Sequence, residues 1–569
     1  MAEDLKVVTE AVDDIPLLLA QMERMQVQKL LDEHFPCHGN WQGLSIGHVT
    51  QVWLAHILSQ ADHRLYHVQP WADQRLTILR RCTRQDVRAL DFSDDRLASV
   101  LERLSDDSAW QAFEQSYYRG ILRVYSLDVE IVRVDSTTSS VYGETTETGL
   151  FQRGHSKRHR PDLPQVKIMM STLDPMALPL VTDIISGEAA DDPLYVPAIT
   201  KVRQTLDRRG LLYVGDCKMA AQKTRVFVAA GQDFYLCPLP EKQMPEEQLR
   251  GYLADFSASG QQPTPIYRTN SEGKTEHIAD GFEVEATMTV SLADSEHTWS
   301  ERHLVIRSLK LADSARTSLQ QRVAKAQQAL SALNVRGHGK RRYQSLQALR
   351  DDAEAILQRY HVPNLFSLVC EETIEETPVR AYGQRPASVR EDHVFKLSAQ
   401  LNATAFDAEQ ARAGWRVYAT NQSSDRLSLT RAVLAYRNEY IIERGFGRLH
   451  GYPLSLSPMY LTLDSHATGL IRLLTIALSV LSLLEFLIRE RLAEDQTKIA
   501  GLYPGNPKRA TARPTSEMLL AAFDNISFSA VHLAAQDIQH VPALSVLQQQ
   551  ILTLLCLPKD IYSNLGLNL

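Results

Sequence analysis

The chain has 569 residues, 44% of them hydrophobic and 23% charged, with a formal net charge of −7. That is too long for a single core, so about two to four domains of ordinary globular composition are expected. The acidic balance argues against a protein that is basic all over, but only a contacting face has to neutralise phosphates, so nucleic-acid binding is not excluded.

Six cysteines (Cys37, Cys82, Cys217, Cys237, Cys370 and Cys556) are scattered without a CxxC pair or a Cys/His cluster. A disulfide framework or structural zinc is therefore not expected, and a reducing compartment fits. The first residues, MAEDLKVVTEAVDD, lack the apolar stretch of a signal peptide. The most apolar run, 473–484, is bounded by Arg472 and Glu485 and is too short to span a bilayer. It reads as a buried helix in a soluble, cytoplasmic protein with no membrane partner.

Residues 1–125 carry helical periods. DDIPLLLAQMERMQVQKLLDEHF places apolar residues three and four apart, and DFSDDRLASVLERL opens on acidic capping residues before Leu97, Leu101 and Leu104. Arg75, Arg80, Arg81, Arg84 and Arg88 lie between them, either as a solvated helix face or as the phosphate-facing side of a DNA-binding region.

From 126 to about 240 the period is that of strands. DVEIVRVD, VKIMMSTLD and LPLVTDII are three strand-like runs with turn signals between them. A helix over DPLYVPAITKVRQTLDRRG ends on Gly210, followed by the strand LLYVGD, the helix AAQKTRVFVAAG and the strand FYLCPL. Strand–strand–strand–helix–strand–helix–strand is the element order of a ribonuclease-H-like mixed sheet.

Residues 241–410 read as an insertion. GFEVEATMTVSL alternates, HLVIRSLKL is a further strand, and two helices joined by NVRGHGKRR suit an αα-hairpin. GWRVYATN returns to strand character, and 411–500 reads as the second part of the core, largely helical from 428. A linker-like GLYPGNPKRATARPTS then opens a helical region at 501–569. The expected class is thus α/β (α+β, multidomain): a ribonuclease-H-like core interrupted by a β-rich insertion with a helical hairpin, between helical terminal regions.

Two of the core strands run into an aspartate, Asp135 and Asp216, where open α/β sheets place their ligands. Two carboxylates converging at one sheet edge repel unless cations hold them. Further on, Glu443 lies on a helix with Glu439, Tyr440, Phe446 and Gly447 as neighbours three and four residues away. Arg437, Arg444 and Arg448 form an adjacent stripe, either suited to phosphates or part of a salt-bridged surface helix. Two strand-borne aspartates and a helical glutamate are the parts of a two-metal phosphodiester site. Between the strands, Arg153, Lys157, Arg158 and Arg160 make a basic loop, either solvated or gripping a DNA backbone near that site. His155 and His159 lack the helical setting of a ligand pair.

Three stretches, VRVDSTT (132–138), LLYVGDCKMA (211–220) and YRNEYIIERGFGRLHG (436–451), together resemble the DDE-type transposases of bacterial insertion sequences, in the insertion-sequence-four superfamily and its larger relatives. GHSKRHRPDLPQVK (154–167) resembles a segment found in one branch of them. The family's tyrosine–arginine–glutamate–lysine signature finds Tyr436 and Glu443 in place, with Glu439 at its arginine position and His450 at its lysine position. The resemblance implies Asp135, Asp216 and Glu443 as the catalytic, metal-holding triad, with Mg²⁺ as cofactor and Mn²⁺ able to replace it. It implies cleavage at transposon ends and strand transfer into target DNA by a homodimer on double-stranded DNA, in a bacterial, nucleoid-associated setting. Tyr436, Arg437, Arg444 and Arg448 join the basic loop as expected DNA contacts. A nuclease of the same fold and a DNA-binding descendant with an impaired site are the alternatives.

Overall fold

The computed structural model describes residues 6–566 apart from 38, 146, 147, 158, 270–272, 293, 294, 338–341, 382, 384, 385, 534 and 535. The chain forms two compact units, one of Met1–Cys237, Thr287–Trp299 and Leu434–Leu569, the other of Pro238–Ala286 and Ser300–Val433.

The first unit begins with a strand, β1 (Lys6–Ala11), and continues through α-helices from Ile15 to Val124 whose apolar faces make a helical core around Leu18, Val52, Trp53 and Leu101. Next come β2 (Ile131–Ser140), β3 (Gln165–Leu173), β4 (Leu178–Ser186), β5 (Leu212–Gly215) and β6 (Phe234–Pro238). They lie side by side in the order β4-β3-β2-β5-β6. The first three form an antiparallel meander, and β5 and β6 then run parallel to β2. Parallel neighbours need a crossover, supplied here by the helices Tyr195–Leu206 and Gln222–Ala230. The sequence order of strands and helices is therefore realised as a mixed sheet, with β2 between β3 and β5 and with β3 buried at all nine positions.

The C-terminal part of this unit, from Leu434, takes in the end of the helix Leu429–Arg437 and the helices Tyr440–His450 and Asp464–Glu494. The last is long and apolar enough to cross a membrane by composition, yet 89% of its most apolar window is buried within the protein. It is the core helix read at 473–484, extended by a turn or more at each end.

Beyond residue 501 the expectation of helix holds only in part. Ser527–Leu533 and Gln536–His540 are strands, and Ser527–Leu533 pairs antiparallel with β1 from the other end of the chain. These runs are too short to show a local period. They are held by each other and by buried Phe528 and Ala530.

The second unit takes in β7 (Thr264–Thr269), β8 (Thr275–Leu292) and β9 (Ser295–Ser308) apart from their Thr287–Trp299 stretch, and β12 (Trp415–Thr420), in the order β12-β9-β8-β7, while β10 (Phe366–Val379) pairs with β11 (Ser388–Leu401) as a separate ribbon. The helices Leu309–Ala332 and Leu346–Arg359 pack through Leu319, Val323, Ala326 and Leu330 against Leu349, Ala353 and Leu357.

Candidate active site

Strand alternation builds the site. Along β2, Arg133, Asp135, Thr137 and Ser139 share one face, and three of them fasten the C-terminal helical segment onto it. The buried Arg133 donates to both carboxylate oxygens of Asp174 (2.7 and 2.6 Å) and to the carbonyl of Ala435 at 2.7 Å. Thr137 Oγ1 meets His450 Nε2 at 2.9 Å, and Ser139 Oγ meets Ser457 Oγ at 2.7 Å. His450 closes the set through Nδ1, 2.8 Å from Ser457 Oγ. Asp135 is the member of the row left facing the segment between these clips.

Asp135 is not at a strand terminus, as the sequence suggested, because β2 runs on to Ser140 against β3. What ends beside it is β5. The parallel pairing closes at Val134↔Gly215, so Asp135 and Asp216 follow at the same level. Gly215 makes that approach possible, since a Cβ there would stand 2.8 Å from Met219 Sδ and 3.2 Å from the Tyr195 ring. Tyr195 in turn donates its hydroxyl to Asp216 Oδ1 at 2.6 Å, and the Lys218 amide donates to the same oxygen at 2.8 Å.

Arg133, Asp135, Gly215, Asp216, Tyr436 and Glu439 line a small cleft with Val134, Val214 and Ile442. It is narrow and partly open to solvent, with about 10 Å³ of space inside. The glutamate in this cleft is Glu439, not Glu443. The polypeptide turns at Asn438 and Glu439 between the two helices, and Ile442 points inward with Phe446 and Leu449. Glu443, one helical turn beyond Glu439, is exposed. Burial, and then the charges of Asp135, Glu443 and Asp216, push the Glu439 carboxyl above its ordinary range, while a hydrogen bond from Tyr436 opposes this. Burial likewise pushes Asp135 up to about 6, with Lys157 drawing it down and Asp216 adding to the rise.

Hard carboxylate oxygens, mutually repelling and partly withdrawn from water, fit a divalent cation. Among the described residues, no three carboxylate, imidazole or thiol side chains already form a closed cage. Mg²⁺ sites of this kind use one or two carboxylates, with water and substrate phosphate completing the shell.

The basic loop divides in its roles. Lys157 reaches into the site, with Nζ 3.3 Å from Asp135 Oδ1 and donating to the Ser136 carbonyl. Arg153 is exposed. Arg160 is bound to Asp162 at 2.9 and 2.8 Å and lies over Tyr142, which stacks on Tyr460. Arg158 lies outside the described residues.

The arginine stripe is different from its sequence reading. Arg444 is bidentate to Glu485, and the buried Arg448 binds Glu485, Ser516 and Glu517. Their guanidiniums pin the Tyr440–His450 helix to the core, so they do not face phosphate as expected. Arg437 is half-buried at the end of its helix. The N-terminal arginines are similarly engaged: Arg75 over Trp71, Arg80 on the Val87 carbonyl, Arg81 on Gln539 and Leu565, and Arg88 on Asp91. Sequence reasoning missed Tyr195 and the orientation of Glu439. The only signal for Glu439 was an acid standing where the signature has arginine.

A family described as a domain of unknown function (DUF4277) matches residues 7–116, the N-terminal helical region. No curated protein matches the chain. Six solved chains match, among them a piggyBac transposase synaptic complex with hairpin DNA, at 7% identity over 97% of this chain and 85% of that one, with a TM-score of 0.35. At that score the likeness carries no argument, and function has to be argued from the residues of the cleft.

Proposed function

We propose that this chain is a DNA transposase of the DDE type, related to bacterial insertion-sequence enzymes, that cuts transposon ends and joins them to target DNA. The observation that carries the reading is the level placement of Asp135 and Asp216 on neighbouring parallel strands, with Glu439 across the same cleft and Glu443 one turn beyond. Asp135, Asp216 and the helical carboxylates would hold two divalent cations, Mg²⁺ or Mn²⁺, which when bound supply Lewis acidity at the scissile phosphate and its attacking and leaving oxygens. Asp135 would be shared between the two cations, and Glu443, exposed one turn beyond the cleft, would be the third carboxylate of the triad. Tyr195 fixes the rotamer of Asp216 by its hydrogen bond. Arg133 sets the distance from β2 to the helices through Ala435, and so the width of the cleft. Arg153, Lys157 and Arg160 form a cationic loop near the carboxylates for the DNA backbone, with Tyr436 and Arg437 as further contacts, and Arg158 joins them by its place in the sequence alone. The protein works as a homodimer on paired double-stranded ends in a bacterial cytoplasm.

The test is a cleavage and joining assay with Mn²⁺ or Mg²⁺, duplexes from the DNA flanking the gene, and a supercoiled target. Joined products that vanish in Asp135→Asn and Asp216→Asn are the expected result. Nicking without joining would leave a nuclease of the same fold. DNA binding with neither activity would leave a DNA-binding descendant.

A further inference from the structure

The loop carrying Lys157 is fastened so that its ammonium rests on the first carboxylate. Gln165 Nε2 donates to the carbonyls of His155 (3.1 Å) and Gly187 (2.9 Å), and Gln152 and Gln165 exchange backbone hydrogen bonds at 3.2 and 2.9 Å. Gly187 admits this close layering, since a Cβ on it would fall 2.0 Å from the Gln165 carbonyl oxygen. The Lys157 amide itself donates to Thr138 Oγ1 on β2 at 3.2 Å. The side chain then reaches Asp135 Oδ1 and the Ser136 carbonyl, and it remains 31% exposed, with a way out to solvent.

A Mg²⁺ ion sits about 2.0–2.1 Å from its carboxylate oxygen. An ammonium 3.3 Å from the same oxygen therefore crowds the space in which an ion on Asp135 would be bound. Two cations there repel strongly, because the site is partly withdrawn from water. Arg160 has its own carboxylate in Asp162, whereas the Lys157 ammonium touches the proposed metal ligand and a carbonyl, and the charge of Asp191, which it also feels, is already paired with Lys167.

Resting on the reading given under Proposed function, we propose that Lys157 is a displaceable counter-ion of the cation site. In the free protein its ammonium occupies Asp135 and holds metal affinity down. When a DNA strand enters, the ammonium moves to a phosphate oxygen of that strand and releases Asp135 to the cation. DNA and metal then bind with positive coupling, each raising the affinity of the other by the same factor. Cleavage is thereby confined to a site that already holds DNA.

The experiment is Mn²⁺ titration of the full chain, followed by the electron paramagnetic resonance signal of free Mn²⁺, with and without a 30-base-pair duplex from the flanking DNA. In the wild type the duplex raises Mn²⁺ affinity by about tenfold or more. Lys157→Gln without DNA binds Mn²⁺ about as tightly as wild type with DNA, and the duplex then adds little. Lys157→Arg, which keeps the charge, stays close to wild type. Circular dichroism checks that both variants are folded. Mn²⁺ affinity in Lys157→Gln equal to or below that of DNA-free wild type overturns the inference. Asp135→Asn separates the two ideas. If it binds Mn²⁺ like wild type, the metal-site reading fails. If it loses Mn²⁺ while Lys157→Gln leaves affinity unchanged, only the role of the lysine fails.

Discussion

Replacing Asp135 with asparagine should make the metal-free protein more stable while abolishing its proposed chemistry. The Asp135 carboxyl is pushed by burial from 3.8 to about 6 in the folded protein. Each pKa unit is about 1.4 kcal/mol, so holding the ionised form in the fold costs about 3 kcal/mol at pH 7.5. The sign follows from the raised folded value. Above pH 6 the group is ionised in both states and the full penalty applies, whereas as pH falls through 6 the folded state takes up a proton and the penalty fades. At pH 4.5 about 1 kcal/mol remains, and below 3.8 almost nothing. Asparagine also removes the partner of Lys157, but that side chain is exposed enough to return to water, at a cost of less than about 1 kcal/mol. The net gain in EDTA at pH 7.5 is therefore about 2–3 kcal/mol, on the order of 3 °C in the melting temperature of a folding unit of several hundred residues. Scanning calorimetry at pH 7.5 and 4.5 reads it directly. Adding Mg²⁺ should stabilise the wild type and leave the variant unmoved, since only a ligand bound to the native state raises its stability. A variant less stable than wild type in EDTA at pH 7.5, or an advantage that does not shrink at pH 4.5, would refute the reasoning.

Glu439→Gln is expected to weaken Mn²⁺ binding to the DNA-free protein by about tenfold or more, as loss of an oriented carboxylate at a metal site does. Glu443→Gln should affect joining more than metal affinity, and calorimetry showing the reverse order would assign the cleft to the wrong glutamate. Tyr195→Phe removes a hydrogen bond to a carboxylate, worth about 1.5–3 kcal/mol, and should slow cleavage in single-turnover assays with circular dichroism unchanged. Glu485→Gln strips the shared counter-ion from Arg444, Arg448 and Arg489. It should cost about 3–5 kcal/mol in denaturant unfolding, because cations are left in a largely buried setting.

The meander, the two crossovers and the convergence of Asp135 with Asp216 were legible because they are written in local patterns. Apolar runs of strand length alternate with one helical period, and each aspartate directly follows such a run. The pairing of β1 with Ser527–Leu533 was not legible, since it joins the two ends of the chain through strands of six and seven residues. The arginine stripe misled for a related reason. A stripe of cations on a helix fixes which residues share a face, but not whether that face meets phosphate or carboxylate. Here the acids that answer Arg444 and Arg448, Glu485 and Glu517, lie far along the sequence.

The same limit applies to the third carboxylate, and there it has a chemical consequence. Glu439 and Glu443 are i and i+4 on a helical path, so sequence spacing puts both toward one side and cannot choose between them. What the fold adds is position: the turn at Asn438–Glu439 and the buried Ile442 put Glu439 in the cleft and leave Glu443 exposed one turn beyond. His450 gives the complementary case. It stands where the signature has a lysine, yet it is buried between Thr137 and Ser457, bonded to both. In that position it joins helix to strand and has no open path to a phosphate. A positive charge does reach Asp135, from Lys157 on the loop between β2 and β3. A cation carried on a loop is freer to move than one on a packed helix, and that freedom is what the proposed counter-ion, yielding to metal, requires.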